Sequence, residues 1–379
     1  MWQRDYALAD KDFAAAEALD PKEIVWLRGR GAMLARQGRF AEAEAMFGRA
    51  LAVTEDDRFS LGWRVDCRRM LGKVDPALED ADAIAALDGK GANAVQLRVA
   101  ILVAAGRGDA ALGAVDAAMT TPKPTVNDWA FRAATLESLD RHAEAAADYG
   151  KMLAEGPSVA AYLGRSWSRK TIDPKGALAD AEAAVALDPR SSWAITARAQ
   201  LLADARDYDR ALAGLAIGRD AASADTDAPL SIRLARADVY RRSDRPAEAL
   251  AEVAAARTLA KTGEALNELC WWEATKRVAL DAAPADCRAA LALAPDQPAF
   301  IDSQGFALMQ VGRDAEAIAA FDHALALNPF LAASLYARGI ARQRTGDVAG
   351  ADRDIAAARI FAPQIATRYA AFGVVPVRP

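Results

Sequence analysis

The chain has 379 residues, of which 53% are hydrophobic, and a net charge of −5 from 47 basic and 52 acidic side chains. Much of the hydrophobic fraction is alanine, the strongest helix former, so the composition predicts an all-α protein. The acidic balance and the even spread of charge argue against nucleic-acid binding, which needs a basic face. Since no run of 18 apolar residues occurs, no transmembrane helix is predicted.

A small residue recurs along the chain, and eight of its ten successive intervals are 34 residues. A fixed period of this length is typical of an array of helix pairs. The recurring residues are Ala9, Ala43, Ala77, Ala111, Ala145, Ala177, Ala211, Ala249, Ala283, Ala317 and Ala351. We place each at the start of the core face of the second helix of a pair, here called helix B, after a first helix, helix A.

Other residues keep the same register. Glycine precedes the recurring alanine at Gly38 and Gly312, and phenylalanine follows it at Phe47 and Phe321. On these residues the sequence resembles the tetratricopeptide-repeat (TPR) family over essentially its whole length. The resemblance implies a right-handed superhelical solenoid of antiparallel helix pairs, with helix A lining the concave side and helix B the convex side.

The N-terminal segment, residues 1–22, is predicted to be a helix B whose helix A is missing. Such a helix has one uncovered apolar side. We therefore expect the sequence to be the C-terminal part of a longer protein, or the first helix to pair with a second copy in a homodimer.

Ten TPR units are predicted over residues 23–363, followed by a C-terminal capping helix and tail over 364–379. The longest interval, 38 residues, contains the segment 219–229, which is predicted to be a loop and the hinge of the array. In the cap, Tyr369 and its neighbours Ile365 and Phe372 fall on one helical face that can cover the last unit.

Of the three cysteines, Cys67 is predicted to be a buried apolar side chain. Cys270 and Cys287 lie at about the same height on facing sides of one helix pair, where a Cα separation of roughly 5–6 Å would permit a disulfide. The alternative is a pair of inert buried thiols. A disulfide would indicate an oxidising compartment.

A second resemblance covers the last third of the chain. It is similar to the TPR tails of secreted or envelope proteins of α-proteobacteria, which often follow a transglutaminase-like or aspartic-protease-like domain. The matching residues are Leu269, Cys270, Trp271, Ala274, Ala285, Asp286, Cys287, Asp302 and Gly305. This resemblance implies a bacterial protein of the periplasm or the exterior. A cytoplasmic location is the alternative.

Catalytic and metal-binding patterns are sparse. The only histidines, His142 and His323, have no second histidine or cysteine at ligand spacing, so no zinc site is predicted. No GxSxG or HExxH motif occurs, and the glycine-rich stretch 106–113 falls on a helix turn rather than after a strand. The sequence therefore predicts a protein without enzymatic activity, metal or cofactor.

The concave side of the solenoid is the predicted binding surface. Aromatic, arginine and amide side chains, the types common in binding hot spots, fall at its groove-facing positions. They are Arg28, Phe59, Arg69, Gln96, Asn127, Phe131, Trp167, Lys170, Trp193, Gln200, Asp238, Arg241, Trp272, Phe306, Tyr336 and Arg344. The alternative is that some of these aromatics pack between adjacent repeats, and for Trp193 and Trp272 both interpretations stay open.

Three functions are consistent with these patterns. The first is a non-enzymatic scaffold that holds a protein or peptide in its concave groove. The second is an accessory TPR region of a larger secreted protease-like or transglutaminase-like enzyme. The third is a self-associating array.

Overall fold

The computed structural model describes residues 6–87, 92–119, 124–221 and 228–377. These residues form twenty-two α-helices and no strand, which confirms the all-α prediction. The helices are α1 (Tyr6–Leu19), α2 (Ile24–Arg36), α3 (Phe40–Val53), α4 (Arg58–Met70), α5 (Val74–Leu87), α6 (Ala92–Ala104), α7 (Gly108–Ala118), α8 (Val126–Ser138), α9 (His142–Glu155), α10 (Val159–Arg169), α11 (Pro174–Leu187), α12 (Ser192–Asp204), α13 (Tyr208–Ala221), α14 (Ala228–Arg242), α15 (Pro246–Leu259), α16 (Gly263–Lys276), α17 (Ala283–Leu293), α18 (Pro298–Gln310), α19 (Asp314–Leu327), α20 (Ala332–Thr345), α21 (Val348–Phe361) and α22 (Ile365–Ala370). None of the helices described combines the length and the apolar content that a membrane span needs.

The chain divides into two compact units. The first unit contains residues 1–114 and 296–379, and the second contains residues 115–295. Successive helices pack as pairs in both: α2 with α3, α4 with α5, α18 with α19 and α20 with α21 in the first unit, and each pair from α8–α9 to α16–α17 in the second. The chain is therefore an all-α helical repeat solenoid.

A tight turn joins the two helices of a pair, as between α2 and α3. Gly38 has a φ of 74°, a conformation that glycine adopts without steric cost. This lets the amide of Gly38 bond to the carbonyl of Ala35 at 2.9 Å and the amide of Arg39 bond to that of Leu34 at 2.9 Å. These bonds satisfy carbonyl groups that the end of the helix would otherwise leave unpaired.

Close contact within a pair depends on small residues of helix A. A Cβ atom on Gly31 would lie only 2.8 Å from the ring of Phe47, so no larger residue fits without a shift. The recurring alanines meet the same requirement from helix B, and Ala43 and Ala317 are fully buried. Glycine and alanine thus set the distance between the helices of a pair.

Arginines of helix A connect consecutive pairs. Arg132 on α8 donates to Asp116 on α7 at 2.7 Å and to Asp148 on α9 at 2.7 Å. In the first unit, Arg338 on α20 connects α19 and α21 in the same way through carboxylates 16 residues before and after it. The recurring arginine–aspartate spacing of 16 residues is visible in the sequence and could have predicted these bridges.

The predicted loop at 219–229 is shorter than expected. Helix α13 continues to Ala221 and α14 begins at Ala228, so both ends of the segment are helical rather than loop. The remaining part of this prediction, residues 222–227, lies outside the described residues.

Candidate functional site: the A-helix surface

The A-helix surface of the second unit is the exposed face of α8, α10, α12, α14 and α16, the first helices of its five pairs. Helix α10 contacts α12, α12 contacts α14, and α14 contacts α16. This order brings together residues from distant parts of the sequence. Nine of the predicted groove residues lie on these helices or directly after one of them: Asn127, Phe131, Trp167, Lys170, Trp193, Gln200, Asp238, Arg241 and Trp272.

Two tryptophans dominate this surface. The side chain of Trp193, near the start of α12, is 79% exposed, and that of Trp167, near the end of α10, is 63% exposed. Tryptophan is enriched at protein interfaces, so side chains exposed to this degree are candidates for contact with a partner. Of the two interpretations left open for Trp193, packing between repeats is wrong, because a packed side chain would not be exposed to this degree.

Charged side chains join three A helices near Trp167. Asp204, at the end of α12, accepts an ion pair from Lys170 of α10 at 3.0 Å and one from Arg242 of α14 at 2.7 Å. The Lys170 ammonium also lies 5.4 Å from the centre of the Trp167 ring. Burial works to raise the pKa of Asp204, but the hydrogen bonds and charges of Lys170 and Arg242 outweigh it, so this pKa lies below its usual value.

Amide and guanidinium groups complete the exposed surface. Gln200 is exposed two turns after Trp193 on the same face of α12, and Asn127 is exposed near the start of α8. Arg241 is exposed, and it donates to the buried carboxylate of Asp238 at 2.8 Å. These groups can donate to, or accept from, the backbone of an extended peptide.

Phe131 and Trp272 are only half-buried. Trp272 packs against a core cluster that includes Leu269 and Val253. Its side chain is therefore less accessible than that of Trp193.

In the first unit, most of the predicted groove residues contact other residues of the same chain. Arg28 donates from Nε to Asp57 at 2.8 Å and lies 5.8 Å from the centre of the Phe59 ring. Phe59 in turn lies 6.0 Å from Trp63. Gln96 on α6 is exposed.

The prediction that Phe306 and Tyr336 face the groove is wrong, because both are fully buried core side chains. The C-terminal helix α22 covers them: the Tyr369 ring lies 4.9 Å from Tyr336 and 5.7 Å from Phe306, and Phe372 lies 6.0 Å from Phe306. The residues predicted to form the cap thus occupy the face where these two aromatics were expected to be free.

Arg69 and Arg344 are also used within the first unit. The Arg69 guanidinium stacks on Phe361 of α21, and its side chain is largely buried. Arg344 donates to the carbonyl of Met309 at 3.0 Å and to Asp314 at 3.3 Å. Neither arginine offers a free guanidinium to a partner.

Cys270 on α16 and Cys287 on α17 form a disulfide, with their Cα atoms 5.3 Å apart, inside the predicted range. Two buried carboxyl groups lie beside it. Arg257 of α15 donates to Glu273 at 2.6 Å and to Asp286 at 2.9 Å. Burial raises the pKa of Glu273 to about 9, the Asp286 carboxylate acts in the same direction, and Arg257 opposes both.

Cys67 is free and fully buried. Burial, with a smaller effect of nearby carboxylates, raises the pKa of its thiol to about 12, so this cysteine is unreactive at neutral pH. Within the described ranges, no group of three or more histidine, cysteine, aspartate or glutamate side chains is arranged to hold a metal ion.

No protein-family model matches the sequence, and no curated protein matches it. Among solved structures, the chain is similar to yeast Tom70, with a TM-score of 0.47 and 15% identity over 97% of this chain and 93% of that chain. It is also similar to a tetratricopeptide repeat protein from Parabacteroides merdae, with a TM-score of 0.39 and 15% identity over 75% of this chain and 98% of that one.

A third similar structure is YrrB, described as a TPR protein with an unusual peptide-binding site. Its TM-score is 0.31, at 18% identity over 48% of this chain and 92% of that chain. The architecture of the present chain rests on its own helix pairs and on their 34-residue period. The chain is an all-α solenoid of antiparallel helix pairs, similar in its repeat to TPR proteins.

Proposed function

We propose that this chain is a non-enzymatic scaffold that binds a protein or peptide on the A-helix surface of its second unit. The observation that carries the proposal is the exposure of two tryptophans, Trp193 and Trp167, on helices of consecutive pairs. Tryptophan is enriched in binding hot spots because one rigid side chain buries a large area at low entropic cost.

The backbone below these tryptophans is well fixed. Ser191 caps α12 by accepting from the amide of Ala194, and Asp204 connects the far end of that helix to two neighbours. A surface held in this way loses little conformational entropy on binding. Asn127, Gln200 and Arg241 supply polar contacts around the aromatic anchors.

The test compares the wild type with a Trp167→Ala/Trp193→Ala double variant. A photo-crosslinking residue at position 200 of each identifies proteins that lie on this surface in extracts of the source cells. Ile217→Ala/Leu293→Ala is the matched control, because it removes two other exposed apolar side chains of the second unit. We expect the tryptophan variant to lose its crosslinked partners while the control keeps them.

Equal crosslinking by all three proteins would refute the proposed surface. Because Trp167 and Trp193 are exposed, their replacement leaves the core intact, and unchanged thermal unfolding verifies this.

A related proposal is that the chain is located in the periplasm or outside the cell. There it would be a free scaffold or an accessory region of a larger secreted enzyme. The disulfide between Cys270 and Cys287 supports it, since disulfides persist in oxidising compartments. Fractionation of the source cells tests the location, and recovery in the cytoplasm would contradict it.

Self-association through α1 is the remaining proposal. No side chain of α1 is fully buried, and Leu8 and Leu19 are exposed. Sedimentation velocity at two concentrations should show a dimer that Leu8→Ser/Leu19→Ser dissociates. A monomer at both concentrations would exclude this arrangement.

A further inference from the structure

A cavity of about 800 Å³ lies in the first unit, apart from the A-helix surface. Its walls come from the turn between α2 and α3, the end of α4, and helices α19, α20 and α21. Pockets that bind ligands have volumes of roughly 300–1,000 Å³, so this cavity is large enough for several residues of a peptide.

The cavity has a surplus of positive charge. Four arginines line it, Arg36, Arg338, Arg342 and Arg353, against two aspartates, Asp322 and Asp354. This balance is opposite in sign to the net charge of the whole chain, which is −5. The cavity therefore favours an anionic ligand on electrostatic grounds.

Two of the four arginines are neutralised within the protein. Arg338 donates two bonds to Asp354, at 2.8 and 2.7 Å, and one to Asp322 at 2.7 Å. Arg342 donates to Asp354 at 2.8 Å. These bonds hold the floor of the cavity in place and use both aspartates.

The other two arginines make no such pairs. Arg36 and Arg353 are exposed, and in the part of the chain that the structure describes neither has a carboxylate within 4 Å. The Arg36 guanidinium lies 5.4 Å from the centre of the Trp63 ring, which orients it without neutralising it. Guanidinium groups of this kind bind carboxylates with paired, charge-assisted hydrogen bonds.

Apolar side chains line the same cavity as the arginines. Phe40, Leu325 and Leu335 contribute apolar wall. A small inorganic anion would leave this wall in contact with water. A peptide that carries both carboxylates and apolar side chains would cover it.

We propose that this cavity binds an acidic peptide segment of a partner protein, with Arg36 and Arg353 pairing its carboxylates and the apolar wall covering its aliphatic side chains. The site is separate from the tryptophans of the second unit and lies on different helices. A Trp167→Ala/Trp193→Ala variant therefore keeps it, and either proposal can fail without the other.

The experiment measures fluorescence anisotropy of a fluorescein-labelled hexapeptide that alternates glutamate and leucine, with the full chain at low and at physiological salt. A glutamine–leucine peptide is the ligand control. The protein variant is Arg36→Gln/Arg353→Gln, and the matched control is Arg190→Gln/Arg288→Gln, which removes two exposed arginines of the second unit. Inorganic phosphate and citrate are tested as competitors.

We expect the acidic peptide to bind, more weakly at higher salt, and the glutamine peptide to bind at least about tenfold less tightly. The Arg36→Gln/Arg353→Gln variant should bind the acidic peptide more weakly by a similar factor, and the control variant should bind it as tightly as the wild type does. Absence of binding, or undiminished binding to the Arg36/Arg353 variant, would overturn the proposal. Competition by phosphate or citrate as strong as that of unlabelled peptide would show a small-anion site instead and would also overturn it.

Discussion

The guanidinium carbon of Arg69 lies 4.2 Å from the centre of the Phe361 ring, although the two residues are 292 positions apart in a chain of 379 residues. Phe330 continues this contact, since its ring centre lies 5.5 Å from that of Phe361 and 5.7 Å from that of Trp63. Burial lowers the pKa of Arg69, and the charge of Asp66 offsets part of this effect. Helices from both ends of the chain are thus packed together within the first unit.

Replacing Arg69 by alanine should loosen this contact. A buried cation–π pair contributes about 2 kcal/mol, and the variant also loses the packing of the arginine stem. We expect faster amide hydrogen exchange in α4 and α21 of Arg69→Ala, with little change in the second unit.

The control for this prediction is Arg359→Ala, which removes an exposed arginine of α21. It should exchange like the wild type. Equal protection of α4 in Arg69→Ala and in the control would show that the stacked pair does not hold these helices together.

The arginine bridge between consecutive pairs should matter more than exposed ion pairs do. Arg132→Ala would remove the guanidinium from the fully buried carboxylate of Asp148 and leave Lys151, at 2.7 Å, as its remaining ionic partner. We expect a loss of about 2 kcal/mol in the free energy of unfolding, measured by urea denaturation.

Arg141→Ala is the comparison for the bridge, because Arg141 pairs with Glu144 at 2.6 Å on the surface. Exposed pairs contribute roughly 0–1 kcal/mol. If both variants lost the same small amount, the bridge would have no special role.

Loss of the disulfide should destabilise the second unit. The bond between Cys270 and Cys287 closes a loop with a sequence separation of 17, and loops of this size contribute about 3 kcal/mol. We expect Cys270→Ala and the Cys270→Ala/Cys287→Ala double variant to unfold at similarly lower urea concentrations, because each lacks the bond.

Alkylation followed by mass measurement provides the independent readout. The unfolded wild-type chain should label at Cys67 without reductant and at all three cysteines after reduction. Labelling of Cys270 in the oxidised, unfolded sample would contradict the bond.

Glu273 should make stability depend on pH in the neutral range. Its folded pKa of about 9 lies above the ordinary glutamate value of 4.5, so the folded state binds the extra proton and its stability falls as pH rises from about 4.5 to about 9. At pH 7 the free energy of unfolding should be about 3 kcal/mol lower than at acidic pH.

Glu273→Gln should remove most of this dependence. The amide keeps an acceptor for Arg257 and a donor for Asp286, as the protonated acid does. The free energy of unfolding, measured from pH 5 to pH 8.5, should change less with pH than in the wild type and be higher at pH 8. A variant with the same pH profile as the wild type would show that Glu273 is ionised in the folded state.

The sequence by itself determined the repeat. The recurring alanines, the turn at Gly38 and the spacing of Cys270 and Cys287 predicted helix pairs and a Cα separation that the structure confirms. These features depend on contacts within one pair, where residues close in sequence meet at distances fixed by helix geometry. The same repeat positions assigned Trp167 to the groove, while for Trp193 they left packing between repeats open.

Only the tertiary structure decided which groove positions are open. Phe306 and Trp193 were both assigned to the groove from repeat position, yet α22 covers Phe306 while Trp193 stays exposed. Arg69 is covered by Phe361 from the opposite end of the chain. A repeat pattern indicates which face of its own helix a residue occupies. Whether that residue is exposed depends on the distant segment that packs against the face. Such a contact does not recur with the repeat, so the sequence period does not predict it.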